Sequence, residues 1–125
     1  MSDHWLSAFE SASVRSLKSG ETLFRRSDRV RNAFLVRTGR VLLQRAIKDG
    51  GLLTLHVANQ GELVAEGSLF AERYHCDAIV DLNTSVAVLS RSDLLAHMAK
   101  GSSDGGLSMR AFERTARELQ SLRTR

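Results

Sequence analysis

Apolar residues in the first four-fifths of the chain come in short runs, many alternating with polar neighbours, and each run ends at glycine, asparagine or aspartate. That rhythm belongs to short strands joined by turns. The pattern predicts strands over Val14 to Leu17, Glu21 to Phe24, Ala33 to Thr38, Val41 to Ile47, Leu53 to Val57, His75 to Val80 and Ser85 to Leu89. Ser19-Gly20, Gly39-Arg40, Asn59-Gln60-Gly61 and Asp81 to Thr84 separate them as turns. The strongest hairpin signal is Lys48-Asp49-Gly50-Gly51, because Asp-Gly enters the positive-φ conformations whose twist matches the flanking strands. Before this turn Val41, Leu43 and Ile47 fall on one face, with Arg45 as a mismatch; beyond it Leu53, Leu55 and Val57 alternate with Thr54 and His56, predicting one buried and one wet face.

Two segments depart from this pattern. Gly61 to Ala71 holds too many small residues for a central strand and predicts a loop with about one helical turn, open to close approach by a ligand or backbone. Ser92 to Lys100 predicts a helix, with Ser90 or Ser92 as its cap. After the glycine- and serine-rich junction from Gly101 to Gly106, the residues Phe112, Ala116, Leu119 and Leu122 recur at helical spacing and form one stripe. Flanking pairs Glu113 with Arg117 and Arg114 with Glu118 add only about 0.3 kcal/mol each. The apolar stripe needs a partner surface, and a second copy of the chain across a two-fold axis is favoured over packing on its own domain. The helix lacks a terminator at Leu122 to Arg125 and reads as cut.

At 125 residues the chain suits one core and is too short for two full domains. The lone Cys76 excludes an intramolecular disulfide and points to a reducing, cytoplasmic compartment. Neither a signal peptide nor an apolar run of membrane-spanning length is present in the sequence, so no membrane partner is expected. The net charge of +4 is uneven: residues 1–50 carry ten Lys/Arg against five Asp/Glu, and residues 51–100 carry three against six. The N-terminal arginines are dispersed, and only Phe24 and Phe34 lie among them as candidate base-stacking platforms, so most of the charge reads as solvated surface.

Gly20-Glu21-Thr22-Leu23-Phe24, the run from Ala33 through Gly39 to Val41, and the run Gly61 to Phe70 followed by Tyr74 to Ala78 occur in the order and spacing of one family. The chain resembles the cyclic-nucleotide-binding domain of cAMP receptor protein/FNR transcription regulators. The resemblance implies a mainly β, jelly-roll-like barrel (a double-stranded β-helix) with short flanking helices and a C-terminal dimerisation helix. It implies a sensor domain over residues 1–100 and the start of a dimerisation helix over 101–125, with DNA bound only through a domain missing from this chain. The expected function is effector sensing and homodimerisation in such a regulator; a stand-alone regulatory or protein-interaction domain is the alternative.

The same resemblance defines a candidate ligand site at Ala65, Glu66, Gly67, Ser68, Arg73, Cys76 and Asp77. Family members that hold a cyclic nucleotide use a Gly-Glu pair and, some ten residues on, an Arg followed by Ser or Thr. The carboxylate accepts from the ribose hydroxyl, while guanidinium, hydroxyl and backbone N–H groups hold the phosphate. Here Glu66 keeps the carboxylate, Ala65 replaces the glycine, Cys76 stands at the arginine position and Asp77 at the hydroxyl position. A carboxylate facing a phosphate predicts weak cyclic-nucleotide binding, unless Arg73 turns inward to supply the missing cation. Asp77 has a structural reading as well, as an acceptor for N–H groups of the cassette loop, and Glu66 as a first-turn acid on the helix dipole. The resemblance assigns no certain cofactor and leaves a cyclic nucleotide or another small effector as a candidate ligand.

His4, His56, His75 and His97 lack metal-ligand spacing, and His75 and Cys76 point to opposite faces of a strand, so no metal or haem site is predicted. Cys76 reads as core filling, since no second thiol exists to resolve an oxidised one. A cupin-like enzyme is the rival in another class, but His56 lacks the paired histidine its metal needs. No nucleophile elbow, P-loop or Ser/His/Asp constellation is visible, and no enzymatic activity is expected.

Overall fold

A computed structural model describes residues 4–101, which form seven strands, two short 3-10 helices and one α-helix. The strands are β1 (Ser13–Leu17), β2 (Thr22–Phe24), β3 (Asn32–Thr38), β4 (Arg40–Ala46), β5 (Leu52–Asn59), β6 (Asp77–Ile79) and β7 (Thr84–Ser90). They pair antiparallel in two sheets, ordered β1-β7-β3 and β2-β6-β4-β5. The architecture is the mainly β, jelly-roll-like one expected. A first 3-10 helix, His4–Phe9, precedes β1; a second, Glu66–Phe70, lies between β5 and β6; and α1 (Arg91–Gly101) follows β7. The first of these had no signal in the sequence pattern. Phe112, Ala116, Leu119 and Leu122 lie outside the described residues.

Turn chemistry sets the register. The β4–β5 hairpin closes through Ile47 N–H on Gly51 O at 3.0 Å and Gly50 N–H on Ile47 O at 3.1 Å. Gly50 adopts φ 83°, as the Asp-Gly signal predicts. Gly39, between β3 and β4, is more constrained: it has φ 83°, and a Cβ there would lie 2.7 Å from the Asn83 carbonyl oxygen and against Thr84. The Thr84 hydroxyl, buried beside this glycine, donates toward the carbonyls of Arg40 and Leu82 and accepts from the Arg40 N–H. Thr84 thus opens β7 instead of ending a turn.

A β-bulge at Leu55 reverses the predicted face of β5 beyond it. Val41 pairs with Ala58 and Leu43 with His56, but Gln44 then pairs with Thr54, leaving Leu55 as the extra residue. His56 and Ala58 therefore sit opposite the fully buried Leu43 and Val41, on the face predicted to be wet. Past the bulge the hairpin extends beyond the core: Ile47 is 47% exposed, Leu52 62% and Leu53 47%. Arg45, paired with Leu53, lies on this outer part of the hairpin and is half-buried.

Two apolar clusters hold the layers together. The first includes Leu17, Leu23, Val36, Val41, Leu43, Ala78, Val80 and Val86, from both sheets. Each fully buried Val or Leu contributes about 1.5–3 kcal/mol. Phe24 and Phe34 belong to it and are buried, so neither is a base-stacking platform. Phe24 instead stacks on Tyr74 with ring centroids 3.5 Å apart and on Phe34 at 6.2 Å. The second cluster joins Ala33 and Ala87 of the three-stranded sheet to Phe9, Leu63, Leu69, Leu94 and Met98, fixing α1 and the N-terminal 3-10 helix to the barrel. Ser90 caps α1, its hydroxyl accepting from the Asp93 N–H at 3.1 Å.

Candidate functional site

The candidate site is built around the 3-10 helix Glu66–Phe70. The chain enters it through Ala65, which is buried at φ 54°, ψ 54°. A left-handed alanine costs about 1–2 kcal/mol relative to right-handed backbone. Packing over-determines it: Ala65 belongs to the inter-sheet cluster, the Val64 N–H donates to Phe34 O at 2.9 Å, and the Ser68 N–H returns to Ala65 O at 2.9 Å. Glu66 takes the first position of the helix and is half-buried.

A cavity of about 20 Å³ opens at this point, lined by Leu43, Leu55, Ala65, Gly67, Ser68, His75 and Cys76. Of the residues singled out in the sequence, Ala65, Gly67, Ser68 and Cys76 meet on it. Glu66 is held between two lining residues but is not one of them. Leu43, Leu55 and His75 were not anticipated, and His75 and Cys76, expected on opposite faces of a strand, meet on this one cavity because both precede β6 in irregular backbone. His75 borders Cys76 in sequence and could have been included; Leu55 reaches the cavity by virtue of the bulge, which leaves no mark in the residue pattern.

Arg73 and Asp77 lie off the cavity. The Arg73 guanidinium donates to the Ser27 carbonyl at 2.9 Å and its backbone bridges Arg29, so it does not turn inward. Asp77 opens β6 on the face opposite Ala78, and its Oδ1 accepts from the Arg26 N–H at 2.7 Å. It bonds the turn after β2 rather than the cassette loop. Tyr74, between Arg73 and His75, is buried against Phe24, and its hydroxyl donates to Asn32 O at 3.3 Å. Burial pushes its phenol above the usual tyrosine range, with the Arg91 charge opposing and Asp28 reinforcing the shift.

The far end of the same helix reaches α1. Leu69 lies in the second cluster with Leu94 and Met98, and Phe70 packs against it. The Arg91 guanidinium donates to the Ala71 carbonyl at 2.6 Å, and the Arg91 N–H bonds Arg31 O at 2.9 Å. One short helix thus touches the cavity with its first turn and α1 with its last. Among the described residues no group of His, Cys, Asp and Glu is arranged to hold a metal ion, and no helix is long and apolar enough to cross a membrane.

Residues 14–100 match the protein-family description "cyclic nucleotide-binding domain". The chain is similar to the N-terminal domain of a transcriptional regulator from Streptomyces coelicolor A3(2), at 24% identity and a TM-score of 0.72, covering 97% of this chain and 84% of that one. It is similar to the catabolite activator protein of Thermus thermophilus, at 26% identity and a TM-score of 0.73, covering 98% of this chain and 56% of that one. The c-di-GMP-responsive global regulator CLP of Xanthomonas campestris is 18% identical with a TM-score of 0.73, over 96% of this chain and 59% of that one. This chain thus spans a little over half the length of the last two. No curated protein matches it.

Proposed function

The chain belongs to the cyclic nucleotide-binding domain family, and from that membership we propose that it is the effector-sensing and dimerisation module of a cAMP receptor protein/FNR-type transcription regulator, acting in the cytoplasm without catalytic activity. Its phosphate cassette is altered enough to bind cAMP or cGMP only weakly. The observation that carries the reading is the placement of the Glu66–Phe70 helix between cavity and α1. A ligand that moves Gly67 or Ser68 displaces Leu69 and the Ala71 carbonyl with them, and these hold Leu94, Met98 and Arg91. Cores repack in discrete steps, so a small shift at the cavity becomes a reorientation of α1.

We assign to the homodimer contact the helical stripe that sequence spacing predicts at Phe112, Ala116, Leu119 and Leu122. Two such helices would transmit the reorientation across the two-fold axis to DNA-binding domains outside this chain. Weak nucleotide binding follows from a missing cation. Micromolar affinity is about 8 kcal/mol, and a phosphate stripped of water without a guanidinium partner forfeits much of it.

Hydrogen exchange tests the coupling. Ala65→Val puts a β-branched side chain at the left-handed entry to the helix; the expected result is faster exchange at Glu66 to Phe70 and also at Leu94 to Met98, with the β1–β7 pairing unchanged. A change confined to the cavity side would contradict the proposal. Sedimentation of the 125-residue chain should give a dimer that Leu119→Glu dissociates; a monomeric parent chain would remove the dimerisation role.

A further inference from the structure

We propose that the cavity beside Glu66 receives a small, uncharged and largely apolar molecule, which gives the effector a chemical class and rests on the sensing reading above. The walls set the class. Leu43, Leu55 and Ala65 present only carbon, and Ser68 and Cys76 add a hydroxyl and a thiol that are themselves buried. Among the described residues no Arg or Lys lines the cavity, and Arg73, the guanidinium nearest in sequence, is committed to the Ser27 carbonyl. His75, exposed at the rim, is the lining residue able to carry positive charge. The Glu66 carboxylate follows directly on Ala65, and the Ser68 N–H, which could face an anion, is taken by the Ala65 carbonyl.

An anion entering here would lose its hydration without gaining a buried cation. An apolar molecule meets the opposite balance, since the walls it covers are mostly carbon and give up little hydration. Size narrows the class further: about 20 Å³ holds little more than one water, so the molecule has few heavy atoms. The wall with most freedom to widen it is Leu55, half-buried at the β5 bulge on a hairpin whose tip stands clear of the core.

Xenon and iodide have the same number of electrons and similar size, so the pair isolates charge. Amide NMR on the 125-residue chain, with xenon dissolved under pressure and iodide titrated against chloride, reads the site directly. The expected result is a saturable xenon shift at Gly67, Ser68 and Cys76, with none from iodide at the same concentration. Leu55→Ala, which enlarges the cavity, should tighten xenon several-fold. Iodide shifts equal to those of xenon, or no xenon shift in either parent chain or Leu55→Ala, would overturn the inference. Xenon shifts at the cavity with no response at Leu94 or Met98 would support the site while counting against the sensing role.

Discussion

Asp77 turns its carboxylate away from the cavity and onto Arg26, accepting the backbone N–H at 2.7 Å. Counting ten residues on from Glu66 implied a contact between Asp77 and a bound phosphate. Alternation along β6 turns Asp77 away from the buried Ala78, while Cys76, just before the strand, lines the cavity. On the proposed reading, weak nucleotide binding therefore rests on the want of a cation among the described lining residues and not on like-charge repulsion at close range. Asp77→Ser should create no cAMP affinity by calorimetry, and should lower stability by about 1 kcal/mol through the lost bond to the β2 turn. A gain of micromolar affinity would return Asp77 to the site.

Gly39→Ala should be the most damaging glycine substitution in the hairpins, costing about 3 kcal/mol in urea denaturation. It combines φ 83° with a Cβ 2.7 Å from the Asn83 carbonyl oxygen, in a place where backbone must move to relieve it. Gly50 has the same φ but nothing within 4 Å, so Gly50→Ala should cost only about 1 kcal/mol. Equal costs would show that the crowding against Thr84 is relieved elsewhere.

Thr84→Val keeps the shape of a buried side chain and deletes its hydroxyl. The Arg40 N–H and the Arg40 and Leu82 carbonyls lose their partner, so the expected cost is about 1–3 kcal/mol, read as a lower urea midpoint with unchanged slope. No loss of stability would mean that water replaces the hydroxyl.

Arg40 also clasps Asp81 through two bonds, Nη2 to Oδ2 at 2.6 Å and Nε to Oδ1 at 2.9 Å. The hydrogen bonds from Arg40 hold the Asp81 carboxyl below the usual carboxylate range. A carboxyl lowered by folding stabilises the fold above its unfolded pKa of about 3.9, and the contribution fades as pH falls through the lower folded value. Asp81→Asn should therefore flatten the acid limb of a stability profile and leave neutral pH little changed, because the pair is exposed and screened by salt. A large loss at neutral pH would contradict this.

Glycine turns, strand runs and the Ser90 cap were legible because each is fixed by neighbours in sequence. The place of the cavity beside Glu66 was legible through the resemblance carried by Gly61 to Phe70. The rest depends on register. A single extra residue, Leu55, moves His56 and Ala58 to the buried face and adds a wall to the cavity. Tyr74, whose ring stacks on Phe24, and Arg73, whose guanidinium reaches Ser27, were likewise invisible because their partners come from β2 and the turn after it, far away in the chain. Long-range pairing leaves no period to read.

Titration calorimetry of the 125-residue chain with cAMP and cGMP tests the central claim most directly. No saturable heat is expected with a dissociation constant at or below about 10 μM, because among the described residues the cavity offers the phosphate no guanidinium. A constant at or below that value for either nucleotide would contradict it.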